Sequence, residues 1–206
     1  AECPSTFLKE VMDLFSLTAL EICEGQQMDM EFEQRNDVTA EEYLEMIRLK
    51  TAVLLAASLK IGARLGGASV EDADRLYDFG MHIGVAFQLK DDLLDVYGNA
   101  KVFGKNIGGD ILCNKKTYML IKALEHANAD QHNQLNSWIN AETFQPAEKI
   151  AAVTELYDRI GVKAVCENKI LEYSNRAMES LAAVSIAEEK KEELKKIIEN
   201  LIHREV

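Results

Sequence analysis

The sequence predicts an all-α protein, a helical bundle of one domain. Three observations carry this. Apolar residues recur at helical spacing along nearly the whole chain. Ala, Leu, Glu, Lys, Ile and Met dominate, most of them good helix formers, and only Pro4 and Pro146 interrupt them. No stretch alternates apolar and polar residues for long enough to read as a strand. With 206 residues, 48% of them hydrophobic, the chain can bury one sizeable core. No repeat or low-complexity linker divides it, so residues 1–206 read as a single domain.

The elements follow in order. Leu8, Val11, Met12, Phe15, Leu20 and Ile22 space a long first helix from Phe7 to about Phe32, which the polar EQRND stretch ends. Thr39 with Glu42 three residues on is a capping-box signature, and it opens a second helix running to Gly66-Gly67. Ser69 and Asp72 cap a third over about 71–97, ending near Gly98. A loop over 98–114 precedes a fourth helix in KKTYMLIKALEHA, and a shorter one is expected at 130–140. Pro146 suits the first turn of a helix through about Ile160. Helices near 162–183 and 187–204 follow, the latter capped by Ser185 and Glu188, with EEKKEELKK as a solvated face.

A net charge of −12 argues against binding nucleic-acid phosphates or an anionic membrane surface. The same charge suits a site that gathers metal cations. Cys3, Cys23, Cys113 and Cys166 lie far apart without a CxxC, as expected of reduced thiols in a cytoplasmic protein. No apolar run approaches membrane-spanning length.

The chemistry is concentrated in FQLKDDLLDVYG, residues 87–98. Asp91 and Asp95 are four apart and share a helix face, with Asp92 one step round. Gln88 and Gly84 extend the Asp91–Asp95 row. Two carboxylates at this spacing repel, and anions near a helix C-terminus are disfavoured by up to ~1 kcal/mol each. A bound cation reverses that penalty. With oxygen ligands and no His or Cys nearby, a hard ion is expected, Mg²⁺ or Mn²⁺, bridging to substrate phosphates. The bland alternative is a chance DDxxD on an exposed face of an acidic protein.

The flanking residues support the first reading. Lys105, then Lys115 and Lys116, supply phosphate-neutralising charge among glycines that let backbone N–H groups approach oxyanions. A Walker A loop is excluded: five residues separate Gly98 from Gly104, Asn106 stands where Ser or Thr is needed, and a helix precedes. Gln26 and Asp29 intrude late in the apolar first helix, and Lys50-Thr51 interrupt the second. A lone lysine of this kind often snorkels to the surface. Lysine, amide and aspartates on three successive helices suggest a shared site.

Four blocks carry a family resemblance: GQxxD (25–29), YxxMxxxKT (43–51), FQxxDDxxD (87–95) and GKxxGGDIxxNKxT (104–117). Together they resemble the second half of trans-isoprenyl diphosphate synthases, the polyprenyl synthetase family. The resemblance implies an isoprenoid-synthase bundle and a chain-elongating prenyltransferase. An allylic diphosphate would lose pyrophosphate, and isopentenyl diphosphate would attack the resulting cation. It implies Mg²⁺ on Asp91 and Asp95, with Asp92 supporting them. Lys50, Thr51, Gln88, Lys105 and Lys115 would hold diphosphate. Gln26, Asp29 and Asp110 would orient them, and Phe87 would line the pocket. It also implies a homodimer.

Only one DDxxD occurs, matching the second of the family's two aspartate-rich motifs. The chain therefore reads as a C-terminal portion, expected to be inactive alone. The rival is a non-catalytic helical regulatory or partner subunit that kept the bundle. Terpene cyclases share the fold type but should not carry the GKxxGGDIxxNK block. A ferritin-like di-iron centre needs ExxH pairs, and the sequence has none. Product length is not legible.

Overall fold

A computed structural model describes residues 3–98 and 107–203. Among these residues every regular element is helical. In chain order they are α1 (Ser5–Phe32), α2 (Ala40–Ile47), a π-helical turn (Arg48–Ala52), α3 (Val53–Leu65), α4 (Val70–Tyr97), α5 (Gly109–Leu112), α6 (Tyr118–His126), α7 (Ala129–Ile139), α8 (Pro146–Ile160), α9 (Val162–Ala182), a 3₁₀ turn (Glu188–Lys190) and α10 (Glu192–His203).

The predicted caps form. The Thr39 hydroxyl accepts from Glu42 N at 3.1 Å, and Glu42 Oε2 accepts from Thr39 N at 2.9 Å. Ser69 Oγ accepts from Asp72 N at 3.0 Å. Pro146 occupies the first turn of α8, and Gly161 ends that helix at φ 84°.

α4 is the central helix, packed mainly on α9 and α3. Leu89, Leu93 and Leu94 are fully buried, each contributing roughly 1.5–3 kcal/mol of hydrophobic stabilisation. The small residues of α3 and α4 interlock. A Cβ on Gly84 would stand 2.5 Å from Ala52 Cα, and one on Gly80 would stand 2.7 Å from Ala56 Cα. Only hydrogen fits there, so backbones meet.

The second helix runs from Ala40 to Leu65 without a break, but at Arg48–Ala52 it widens into a π turn, with Val53 N donating to Arg48 O five residues back. Three expectations need correction. The 98–114 stretch contains α5. Ser185 does not cap the last helix. Its N–H donates to Asp72 Oδ1 at 2.9 Å, fastening the α9–α10 connection to the start of α4. Nor is the EEKKEELKK face wholly solvated. Lys191 is buried, its ammonium donating to Ala182 O at 3.0 Å and Glu188 Oε1 at 2.8 Å.

Candidate active site

The π turn delivers two of the predicted residues. It is pinched between α1 and α4: a Cβ on Gly25 would lie 2.5 Å from Lys50 N, while Gly84 abuts Ala52 on the other side. The extra residue in the turn re-aims the side chains that follow it, a common feature of functional sites. Lys50 Nζ reaches α1 and donates to Asp29 Oδ2 at 2.6 Å. Thr51 Oγ1 reaches α4 and donates to Gln88 Oε1 at 3.3 Å.

Gln88 turns its amide toward Asp92. Its Nε2 donates to Asp92 Oδ1 at 3.1 Å. The other oxygen of Asp92 accepts from the Tyr43 hydroxyl. Asp92 is thus the buried aspartate of the motif, while Asp91 and Asp95 are half-buried. Burial pushes the Asp92 carboxyl up to about 7, against the opposing pull of the Tyr43 hydrogen bond and the Lys115 charge. Burial, then the Asp92 charge, raises the Tyr43 phenol well above its ordinary value.

The third group forms around α5. Gly108, at φ 83°, donates its N–H to Asp95 O at 2.6 Å, and Asp110 N donates to Asp95 Oδ2 at 3.0 Å. α5 therefore starts on the last aspartate of DDxxD. The chain then folds back at Asn114, so that Lys115 N donates to Asp110 O at 3.0 Å and Lys115 Nζ stands 3.6 Å from Asp110 Oδ1. Burial raises the Asp110 carboxyl, and the charges of Asp95 and Asp91 add to this against Lys115. Burial also disfavours the Lys115 ammonium, but Asp110, Asp92 and Asp29 outweigh it and its pKa rises.

The structure thus joins Lys50 with Asp29, Thr51 with Gln88 and Asp92, and Asp95 with Asp110 and Lys115. Gln26 is exposed on α1, apart from these contacts. Lys105 lies outside the described residues. Tyr43 belongs to the group, although in the sequence it stood out only as the first residue of the YxxMxxxKT block. A tyrosine buried inside a helical core needs a partner for its hydroxyl, and that requirement was the available signal.

Two cavities meet this group. A polar cleft of about 600 Å³ is lined by Asp29 and Phe32 of α1 and by Asp110, Cys113 and Lys115 beyond α4. An apolar groove of about 840 Å³ begins at Thr51 and Phe87 and runs along Leu55, Ile83 and Phe79 to Leu201 of α10. Phe87 lines this groove.

The donor set suits a hard cation. Asp29, Asp91, Asp92, Asp95 and Asp110 outnumber the two lysines beside them, and all offer oxygen. Among the described residues no three acidic, His or Cys side chains converge tightly enough to hold a metal unaided. An incomplete carboxylate set fits Mg²⁺, which retains water and substrate oxygens.

A helical bundle whose Asp29, Asp110 and Lys115 line a polar cleft, with an apolar groove opening at Thr51, has the isoprenoid-synthase fold. Within that class the chain belongs to the polyprenyl synthetase family, whose model matches residues 3–157. A short chain isoprenyl diphosphate synthase from Methanothermobacter thermautotrophicus is 37% identical over 201 residues, 98% of this chain and 61% of the relative. A crystal structure of a geranylgeranyl pyrophosphate synthase superposes with a TM-score of 0.92 at 37% identity, covering 99% of this chain and 63% of that one. A geranylgeranyl pyrophosphate synthase from Corynebacterium glutamicum, solved with isoprenyl diphosphate and magnesium, gives 0.88 at 29% identity, covering 98% of this chain and 57% of that one. The chain thus spans about three-fifths of these relatives. Among the described residues no helix is long and apolar enough to cross a membrane.

Proposed function

We infer that the protein is a prenyltransferase, a short-chain isoprenyl diphosphate synthase. The observation that carries this reading is the Asp95–Asp110–Lys115 cluster on the polar cleft that Asp29, the partner of Lys50, also lines, with Thr51 next to Lys50 opening the apolar groove. An allylic diphosphate would place its head among the lysines and its hydrocarbon tail in the groove. Its C1–O bond breaks, pyrophosphate leaves, the double bond of isopentenyl diphosphate forms the new C–C bond, and a proton is lost.

Lys50 and Lys115 bind diphosphate oxygens, drawn from their carboxylate partners Asp29 and Asp110. Asp29 and Asp110 orient them. Gln88 and Thr51 face the head group at the groove mouth, and the Tyr43–Asp92 pair holds Gln88 in place. Asp91 and Asp95 would hold Mg²⁺, which, when bound, neutralises charge developing on the leaving group. Phe87 and the groove walls exclude water from the carbocation. The names of relatives that are farnesyl and geranylgeranyl diphosphate synthases support a product in that range. The exposed Leu8, Met12, Phe15 and Leu20 on α1 support a homodimer, and the free cysteines support a cytoplasmic setting.

Residues 1–206 contain a single DDxxD where the family has two aspartate-rich motifs, so by themselves they are expected to be inactive. Product formed by this polypeptide from Mg²⁺ and both diphosphates would overturn that. Titration calorimetry tests the site itself. Pyrophosphate should bind only with Mg²⁺ present, and binding should be lost in Asp91→Ala. Metal-independent binding would contradict the assignment.

A further inference from the structure

Lys149 lies in the first turn of α8 and is 1% exposed. Both facts oppose its charge: burial depresses the ammonium, and the helix N-terminus repels a cation. Among the described residues no carboxylate pairs with it. Its Nζ instead donates to Asn114 Oδ1 at 2.7 Å, lies 3.5 Å from Leu112 O, and sits 4.3 Å from the centre of the Phe144 ring.

Asn114 is the single described residue other than glycine with positive φ, at 53°. It is the residue at which the chain reverses to bring Lys115 back onto Asp110. Its side chain is held from both sides, accepting from Lys149 and donating to Ile139 O at 2.9 Å. The neighbouring Ile150 covers the other end of α5: a Cβ on Gly108 would meet Ile150 Cδ1 at 2.7 Å. One turn of α8 therefore seats both ends of the segment carrying Asp110 and Lys115. A cavity of about 20 Å³, room for one water, lies between Lys149 and that pair.

We propose that Lys149 is a positioning residue for diphosphate binding: through Asn114 it fixes the 110–115 turn and so places Lys115 against Asp110 and Asp92. This role rests on the diphosphate reading of the site. The buried charge is retained where an apolar side chain would pack because a charged hydrogen bond holds the left-handed Asn114 more firmly than packing does.

The test uses the 206-residue chain, Lys149→Met, and Asn114→Gly, which cuts the same link without emptying the lysine's site. Two readouts are needed: amide hydrogen exchange over 110–115 and calorimetric affinity for pyrophosphate with Mg²⁺. Both variants should speed exchange in the turn, leave α4 core amides unchanged, and weaken pyrophosphate at least about ten-fold. In a Lys115→Met background, Lys149→Met should add little further loss, since it acts through that lysine. Unchanged exchange, faster exchange with unchanged affinity, or an equal loss without Lys115 would each overturn the role alone. A wild-type chain that binds no pyrophosphate would overturn the proposed function and this role with it.

Discussion

Tyr43 and Asp92, 49 positions apart, share a hydrogen bond on the buried side of the site, the phenol donating to Asp92 Oδ2. Neither side chain is more than 3% exposed. This contact locks α2 to the aspartate motif of α4, and it decides which of three neighbouring aspartates turns inward. Through Gln88 it extends to Thr51 in the π turn.

Tyr43→Phe leaves an ionised Asp92 with one donor fewer in a dry setting. Urea denaturation should show a loss of roughly 1.5–3 kcal/mol at pH 8, the range for a hydrogen bond to a charged group. At pH 5 the loss should be smaller, because a protonated Asp92 makes a weaker neutral bond. Equal losses at the two pH values would contradict an ionisable Asp92.

Asp92 also sets a pH dependence of the metal-free chain. Its folded pKa of about 7 lies above the ordinary 3.8. Between these values the folded chain holds a proton that the unfolded chain has released. Stability from this group is therefore full below about pH 4 and is lost as pH rises through 7. Relative to Asp92→Asn, wild type should lose roughly 3 kcal/mol between pH 5 and pH 8. Parallel curves for the two proteins would reject the assignment.

Gly25→Ala tests the π turn. The added methyl would lie 2.5 Å from Lys50 N, so either α1 or the turn must move. Overpacking of this kind costs typically 1–3 kcal/mol. The melting temperature should fall and pyrophosphate affinity should fall with it, because Lys50 and Thr51 ride on the turn. A variant as stable as wild type would show that the close approach is not required.

Lys50→Met separates binding from folding. The Lys50–Asp29 pair is partly exposed, with side-chain values of 36% and 21%, so its contribution to stability should stay within about 1 kcal/mol. Pyrophosphate affinity should drop about ten-fold or more, since a charge-assisted bond to phosphate is removed. A large stability loss with unchanged affinity would make Lys50 structural.

The helices were legible in the sequence because apolar spacing and caps are local. Thr39–Glu42, Ser69–Asp72 and Pro146 act within a few residues of themselves. The π turn was not, because it is imposed by Gly25 and Gly84 on neighbouring helices and leaves no signature in RLKTA. The candidate site residues stood out by type and spacing, but their facing was not legible. Adjacent aspartates differ by a step of helical rotation, and only the fold brings Tyr43 and Gln88 onto Asp92. α5 was hidden because GGD reads as loop until Asp95 supplies a partner for the Asp110 N–H. Lys149 carried no signal in the sequence, since only the fold brings it onto Asn114.

The most direct test of the central claim is a crystal structure of the chain with magnesium and a non-hydrolysable diphosphate. Metal density is predicted on Asp91 and Asp95, with the diphosphate oxygens bridging to Lys50 and Lys115. Aspartates turned outward and bare, with the diphosphate elsewhere or absent, would contradict it.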